Sequence, residues 1–429
     1  MRDERPGLRR AFVALEYREF RLLFLSSVVS GMGGQLQQVS NMWQIYALTG
    51  SALHLGLTGL ARAIPIILFS LAGGVIADRV DRRKIIIFTQ AANGAFAIVL
   101  AVLSATGLVE VWHIYAVVFL NATLMSVSAP ARRALIANLV PRQHLVNAMA
   151  LNTSLHQIDR IIAPAIAGIL IALFGLAVTY GANGVAHFIT AASLGFIALG
   201  PMPARPRGSP LRNLLDGLSF IRDRSIILVL LATDAAAMLF GSYQVLLPIV
   251  ADSTGAGAAG FGLLSSAPAV GGLVGALVIM YLGDFPYKGR LIVGAILAYC
   301  CCLAALALSP WFGLAFVVAV GLGLTDSMQA APRNAIIQLM CPDELRGRVS
   351  SFQHMLVTGM PALGQGLMGG AAGAVGGPIA LVAGAIMCAG INIAILVRRS
   401  DLRARELGVP PPRAPISGRQ PASVAGPQA

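Results

Sequence analysis

The sequence predicts an all-α membrane protein: twelve transmembrane helices arranged as two pseudo-symmetric six-helix bundles. Three observations predict it. Of the 429 residues, 57% are hydrophobic and only 11% charged, against about 25% charged in soluble chains. The mean hydropathy is +0.77. Such a chain cannot cover itself with polar side chains, so its solvent is largely lipid. Charge-free runs long enough to cross a bilayer recur along its length. The 31 Lys and Arg, of which only Lys84 and Lys288 are Lys, gather in clusters between those runs. The formal charge of +13 therefore reads as topology and not as a nucleic-acid-binding face.

The elements follow in chain order. Residues 1–19 are charged throughout and form a cytoplasmic N-terminal segment, with no cleavable signal peptide expected. Residues 20–200 hold six spans, near 20–46, 52–77, 85–106, 111–131, 149–174 and 178–200. Residues 201–224 interrupt the pattern with PMPARPRGSP and then Arg212, Arg222 and Arg224, which reads as a cytoplasmic linker. Residues 225–397 hold six more spans, near 225–250, 259–283, 291–309, 312–332, 349–372 and 378–397. The last two share one charge-free run, 349–397, divided at the Gly-rich stretch Gly369 to Pro378. Residues 398–429 form a cytoplasmic tail rich in Arg and Pro.

The connections after odd-numbered spans contain no Lys or Arg, only Glu110 and Asp252. The opposite side takes every basic residue except Arg62 and Arg160, which fall inside spans. By the positive-inside rule both termini are expected in the cytoplasm of a bacterial plasma (inner) membrane.

The halves repeat weakly. Asp78 in ADRVDRRK matches Asp284 in GDFPYKGR at an offset of 206 residues. ALIANLVP (Ala134 to Pro141) matches AIIQLMCP (Ala335 to Pro342) at 201, and Pro164 matches Pro361 at 197. Duplicated six-helix bundles suggest a transporter whose halves rock about a central site. Cys300, Cys301 and Cys302 fan out around a helix and cannot jointly hold a metal. With Cys341 and Cys388 they read as packing residues. No nucleotide-binding loop and no catalytic constellation stands out, so neither an enzyme nor a cofactor is expected.

The loop after span two reads GVIADRVDRRK (Gly74 to Lys84). Together with the twelve spans and the central linker it resembles the major facilitator superfamily, whose motif there is G-x-x-x-D-R-x-G-R-R/K. Asp81 departs from it, standing where the family usually has Gly. FRLLFLSSVVSGMGGQLQQVSNMWQIYALTGSALHLGL, PARRALIANLVPRQHLVNAMALN and CPDELRGRVSS carry a further resemblance to the exporter branch that includes the enterobactin exporter and macrolide and drug efflux proteins. It covers roughly residues 12 to 405. In span five, Pro164 and Gly168 fit the antiporter pattern G-x-x-x-G-P-x-x-G-G, while Asp159, Ala163 and Ala167 replace its Gly residues.

The resemblance implies a conformational latch at Asp78, with Arg79, Arg82 and Arg83 as partners. Asp284 stands at the matching place in the second half, and topology alone would also place these charges there. The branch often carries an acid in span one, in a stretch like G-D-W-M-Q-Q. Here the stretch is GGQLQQ, with Gly34 in place of the Asp.

The remaining candidates come from charges and amides inside spans, which must face a partner or a cavity. Arg62, Asp159, Arg160, Asp234 and Asp326 are candidates for proton coupling or for fixed ion pairs. Gln37, Asn41 and Gln44 share one face of span one at i, i+4, i+7 spacing. With Trp43, Asn121 and Tyr243 they are candidates to line a substrate cavity, or else to bind helix to helix. The expected function is proton-driven export of a bulky amphipathic small molecule such as a siderophore, macrolide or other drug. The protein would act as a monomer, with membrane lipids and protons as its other partners and no nucleic acid. A lysolipid or lipid flippase on the same fold, and a non-transporting scaffold or sensor, are the alternatives.

Overall fold

A computed structural model describes residues 12–197, 218–222, 224–283 and 287–398. Twelve helices cross its length: α1 (Arg18–Thr49), α2 (Ala52–Arg79), α3 (Arg82–Ala105), α4 (Val111–Leu139), α5 and α6 within Leu145–Gly195, α7 from Ser225–Phe240 onward, α8 (Gly257–Leu282), α9 (Lys288–Ala307), α10 (Phe312–Met340), α11 (Asp343–Val375) and α12 (Gly377–Arg398). Nine stretches of the described residues are long and apolar enough to cross a membrane, and one of them, Arg142–Gly195, contains both α5 and α6. α1 and α11 complete the twelve; at 32 and 33 residues they are the most polar of the long helices. The protein is a multi-pass membrane protein with the major facilitator arrangement.

α5 and α6 are separated at Gly175, whose φ of 81° suits a residue without Cβ, within the connection expected between spans five and six. One break departs from the sequence reading. α7 stops at Phe240, passes through a 3-10 turn (Tyr243–Leu246) and ends as Leu247–Ser253. Tyr299 on α9 donates a 2.7 Å hydrogen bond to the Gly241 carbonyl freed by that break. α4 and α10 also run longer than expected, to Leu139 and Met340. A helix of 29 residues is about 43 Å long, more than the hydrocarbon core of about 30 Å. The extra turns draw Arg132 and Arg333 into helices, and Arg62 and Arg160 are therefore not the only cations within them.

The bundles meet along two helix pairs, α2 with α11 and α5 with α8. Both approaches depend on glycine. A Cβ at Gly369 would lie 2.3 Å from the Gly56 Cα, and one at Gly262 would lie 2.4 Å from the Pro164 carbonyl oxygen. Backbones this close are the mark of small-residue packing between membrane helices. These contacts lie toward the end whose connections lack basic residues. There Tyr46 Oη donates a 2.7 Å hydrogen bond to Asp252 Oδ2. Trp43 and Phe261 stack with ring centroids 5.9 Å apart. At the other, basic end, Val146 of α5 and Met280 and Tyr281 of α8 are 81, 73 and 91% exposed. The bundles thus close at the end that lacks basic residues.

Candidate functional site

The interior of the C-terminal bundle holds a buried ion pair. Arg333 Nη1 on α10 donates to Asp234 Oδ1 on α7 at 2.5 Å, and the two side chains are 2 and 4% exposed. Arg333 Nη1 also donates to Gln329 Oε1 one turn away. Gln329 Nε2 in turn donates to Asp326 Oδ1 at 3.0 Å. Asp326 is exposed, yet it acts electrostatically on Asp234, Tyr243 and Tyr299. It therefore faces the protein interior and not lipid. The result is a four-residue relay from an accessible carboxylate, through an amide and a guanidinium, to a buried carboxylate. Two of its members escape the sequence reading: Arg333 because the expected span ends at residue 332, and Gln329, inside that span, because nothing in the sequence marks its partners.

The N-terminal bundle carries a matching cation. Arg132 Nη1 on α4 donates to Ser27 Oγ on α1 at 3.0 Å. It also lies within electrostatic reach of Asp159 on α5. Asp159 is 3% exposed and presses on α1, where a Cβ at Gly31 would come 2.0 Å from its Oδ2. That oxygen has no hydrogen-bond partner. The signal for both cations was available: the offset of 201 that pairs ALIANLVP with AIIQLMCP also pairs Arg132 with Arg333. Each reaches the first helix of its own bundle, Ser27 in one half and Asp234 in the other.

Ser27 and Gly31 share a face of α1 with Gly34 and Gln38, at i, i+4, i+7, i+11 spacing. A Cβ at Gly34 would meet nothing within 4 Å, and Gln38 is exposed. The residue that replaces the expected span-one acid thus faces open space beside Arg132 and Asp159.

Between the bundles, Arg62 on α2 and Arg160 on α5 are both exposed, and they lie within electrostatic reach of each other. Arg160 and Asp326 both act electrostatically on Tyr243, which is 3% exposed. Asp159 and Arg160, adjacent in sequence, diverge as neighbours on a helix must. One faces α1 and the other the interbundle space. Asn121 on α4 is half-buried, with its Oδ1 unpartnered.

The amide stripe of α1 does not line this space, which corrects one of the two readings open for it. Gln37, Asn41 and Gln44 are 4, 6 and 3% exposed. Asn183 Nδ2 on α6 donates to Gln37 Oε1, Tyr180 Oη on α6 donates to Asn41 Oδ1 at 3.0 Å, and Gln44 Nε2 donates to Ser104 Oγ at 2.7 Å. Thr190 Oγ1 adds a 3.0 Å bond to the Ser26 carbonyl. The physical reason is pairing. α6 carries Tyr180, Asn183, His187 and Thr190 at helical spacing, so polar groups of α1 and α6 meet each other, and those of α3 at Gln90 and Ser104, instead of lipid. Trp43 likewise packs on Phe261 instead of standing open. Asn41→Ala and Gln44→Ala should each lower thermal stability, by about 0.6 to 2 kcal/mol. They should leave the KM of transport within twofold, and a large KM change in a stability-neutral variant would return the stripe to the cavity.

Asp78 and Arg79 close α2, and their side chains lie outside the described residues, as does Asp284. Arg82 is 7% exposed. Arg83 Nε donates to the Leu194 carbonyl at 2.9 Å, and its Nη2 donates to the Gly195 carbonyl. It thereby holds the last carbonyls of α6 within its own bundle. Asp81 caps α3, accepting from the Arg83 N–H at 2.9 Å, which gives the departure from the family Gly a local purpose. Asp81→Ala should cost about 1 kcal/mol of stability, read as a lower melting temperature in detergent.

A family model described as transmembrane secretion effector matches residues 10–413. The enterobactin exporter EntS of Shigella boydii serotype 18 (strain CDC 3083-94 / BS512) is 27% identical over 352 residues, covering 82% of this chain and 84% of its own. EntS of Escherichia coli O1:K1 / APEC gives the same identity and coverage. Among solved structures, nucleoside transporter NupG superposes with a TM-score of 0.70 at 12% identity, covering 88% of this chain and 98% of that one. A bacterial homolog of the human lysosomal transporter Spinster gives 0.67 at 14%, covering 93 and 99%. These structural likenesses concern the fold alone.

Proposed function

The chain belongs to the transmembrane secretion effector family of the major facilitator superfamily, and on that premise we propose that it is a proton-driven exporter of a bulky amphipathic small molecule, such as a siderophore, with both termini in the cytoplasm of a bacterial inner membrane. The observation that carries the coupling is the relay from Asp326 through Gln329 and Arg333 to Asp234. A buried ion pair is kept together only while both partners are charged. A proton taken up by Asp234 neutralises the carboxylate and releases Arg333, whose charge is then answered by the Gln329 amide that Asp326 holds in place. The pairing of α7 with α10 then changes, which is the differential contact a two-state transporter requires. The likeness to enterobactin exporters supports a siderophore-like substrate.

Alternating access follows from the asymmetry of the ends. With the basic end cytoplasmic, the Tyr46–Asp252 bond and the Trp43–Phe261 stack close the outer end. The described conformation is then inward-open and takes substrate from the cytoplasm. The protein works as a monomer: each bundle supplies one wall of the path, and a second copy is needed for neither. The polar interior favours this reading over lipid flipping.

The test uses purified protein in liposomes with an imposed pH gradient, following enterobactin, a macrolide and a cationic dye. Substrate movement should track the proton gradient and stop with an uncoupler. In Gly34→Asp the new carboxylate enters open space beside Arg132 and Asp159 without steric cost. It should keep export and alter its pH dependence. Movement indifferent to the gradient for every compound would sink the antiport reading.

A further inference from the structure

Arg62 and Arg160 are not accounted for by the relay. They sit on helices at opposite flanks of the N-terminal bundle, since α2 packs on α11 and α5 packs on α8. Each lies near the middle of a helix that packs on the other bundle, and an exposed guanidinium at that depth cannot face lipid, so both turn into the space between the bundles. Both are exposed, and protein surrounds Arg62. That combination describes a residue lining an internal, water-accessible space. Among the described residues neither makes a hydrogen bond or an ion pair. Two guanidinium groups in the middle of a membrane protein, within electrostatic reach of each other, repel, and no contact among the described residues offsets that repulsion.

We propose that Arg62 and Arg160 form the anion-recognition point of the transport site, and that the substrate is an amphipathic organic anion held by a carboxylate or an equivalent planar oxyanion. A guanidinium matches such a group with two parallel donors, and two guanidiniums can grip it from both sides. The rest of the space suits the remainder of such a molecule. Gln157 lies on the Arg160 helix one turn away, donating a 3.3 Å bond to the Ala269 carbonyl of α8. Tyr243 offers a ring beside Arg160. Asp326 also acts on Tyr243, and since Arg62 and Arg160 lie on helices of the N-terminal bundle and Asp326 on one of the C-terminal bundle, the cationic wall belongs to the first and the acidic wall to the second. An anion drawn to the first wall and a proton taken by the second leave the interior close to neutral when both are loaded. The inference rests on the export reading and deepens it by naming the substrate class.

The experiment compares two probes of one shape: dansylglycine, a carboxylate, and dansylglycinamide, which is neutral. Full-length protein is held in phosphatidylcholine nanodiscs, so no anionic lipid competes, and binding is read by fluorescence anisotropy. The carboxylate should bind about tenfold or more tightly than the amide, a gap of about 1.4 kcal/mol. Arg62→Gln and Arg160→Gln should each shrink the gap below about twofold, and Arg62→Lys should keep part of it. Size-exclusion profiles and melting temperatures identify any variant that misfolds, in which case the other Arg decides. Equal binding of the two probes, binding of neither, or a gap that survives both Gln substitutions overturns the assignment. Gradient-driven export is followed in liposomes of the same lipid. Export without charge selectivity overturns the anion site alone. Charge-selective binding without export upholds the site and overturns the export reading.

Discussion

Asp234→Asn is expected to abolish proton-driven export and to destabilise the protein by about 3 to 5 kcal/mol. The size of the loss comes from what is left behind. Arg333 is 2% exposed, and its Nε already lacks a partner. Without Asp234 its charge has only the amide of Gln329 to answer it. The two consequences separate in the double variant Asp234→Asn with Arg333→Gln, which removes both charges together. Stability should return to within about 1.5 kcal/mol of the parent, because an unpaired buried charge no longer exists, whereas coupling should not return, because no group titrates. Thermal melts in detergent and gradient-driven uptake in liposomes read the two quantities independently. Export by the double variant that still followed the proton gradient would move coupling to Asp159 in the other half. Asp326→Asn should act differently, slowing export with little loss of stability, since Asp326 is exposed and holds no ion pair among the described residues.

Much of this architecture was legible in the residues, and the gaps have physical causes. Charge-free runs and basic clusters set the number of helices, because lipid enforces both. The bend at Gly175 lay within the short connection expected between spans five and six. Helix ends were less legible. Arg132 and Arg333 read as markers of the membrane edge, since a basic residue after an apolar run ends a span by the positive-inside rule. The helices continue past them because each Arg finds a polar partner on the first helix of its bundle. Partner choice was the other gap. Gln37, Asn41 and Gln44 show from spacing that they share a face, but spacing on one helix does not say what that face meets. The matching stripe of Tyr180, Asn183, His187 and Thr190 lies about 140 residues away, and only the packing of α1 on α6 joins them. Arg62 and Arg160 were visible as costly charges. That they approach each other across the bundle, and not a carboxylate, depends on the tertiary arrangement alone.

Gly262→Val is expected to bias the protein toward opening of the end that is closed here. The first atom beyond Cα at this position would lie 2.4 Å from the Pro164 carbonyl oxygen and 2.7 Å from the Gly168 Cα. Those neighbours are backbone, so no side chain can swing away, and α5 and α8 must separate near that end. Overpacking of this kind costs about 1 to 3 kcal/mol. The cost falls on the state that holds the contact and not on a state in which these turns have parted. The ratio of the two states should therefore shift by about 5- to 150-fold. Hydrogen exchange reads this without labels. Segments around Trp43 to Tyr46 and Leu247–Ser253 should exchange faster as the Tyr46–Asp252 bond and the Trp43–Phe261 stack come apart. The exposed turns near Val146 and Tyr281 should exchange more slowly as the opposite end closes. Tyr46→Phe should reproduce the direction of the change with a smaller amplitude, because the hydrogen bond it removes is exposed to solvent. If Gly262→Val stops export while exchange rises at both ends, the glycine contact holds the bundles together in every state and is the axis of their rotation. If exchange moves in opposite directions at the two ends, the contact belongs to one state, and the glycines decide how readily the protein leaves it.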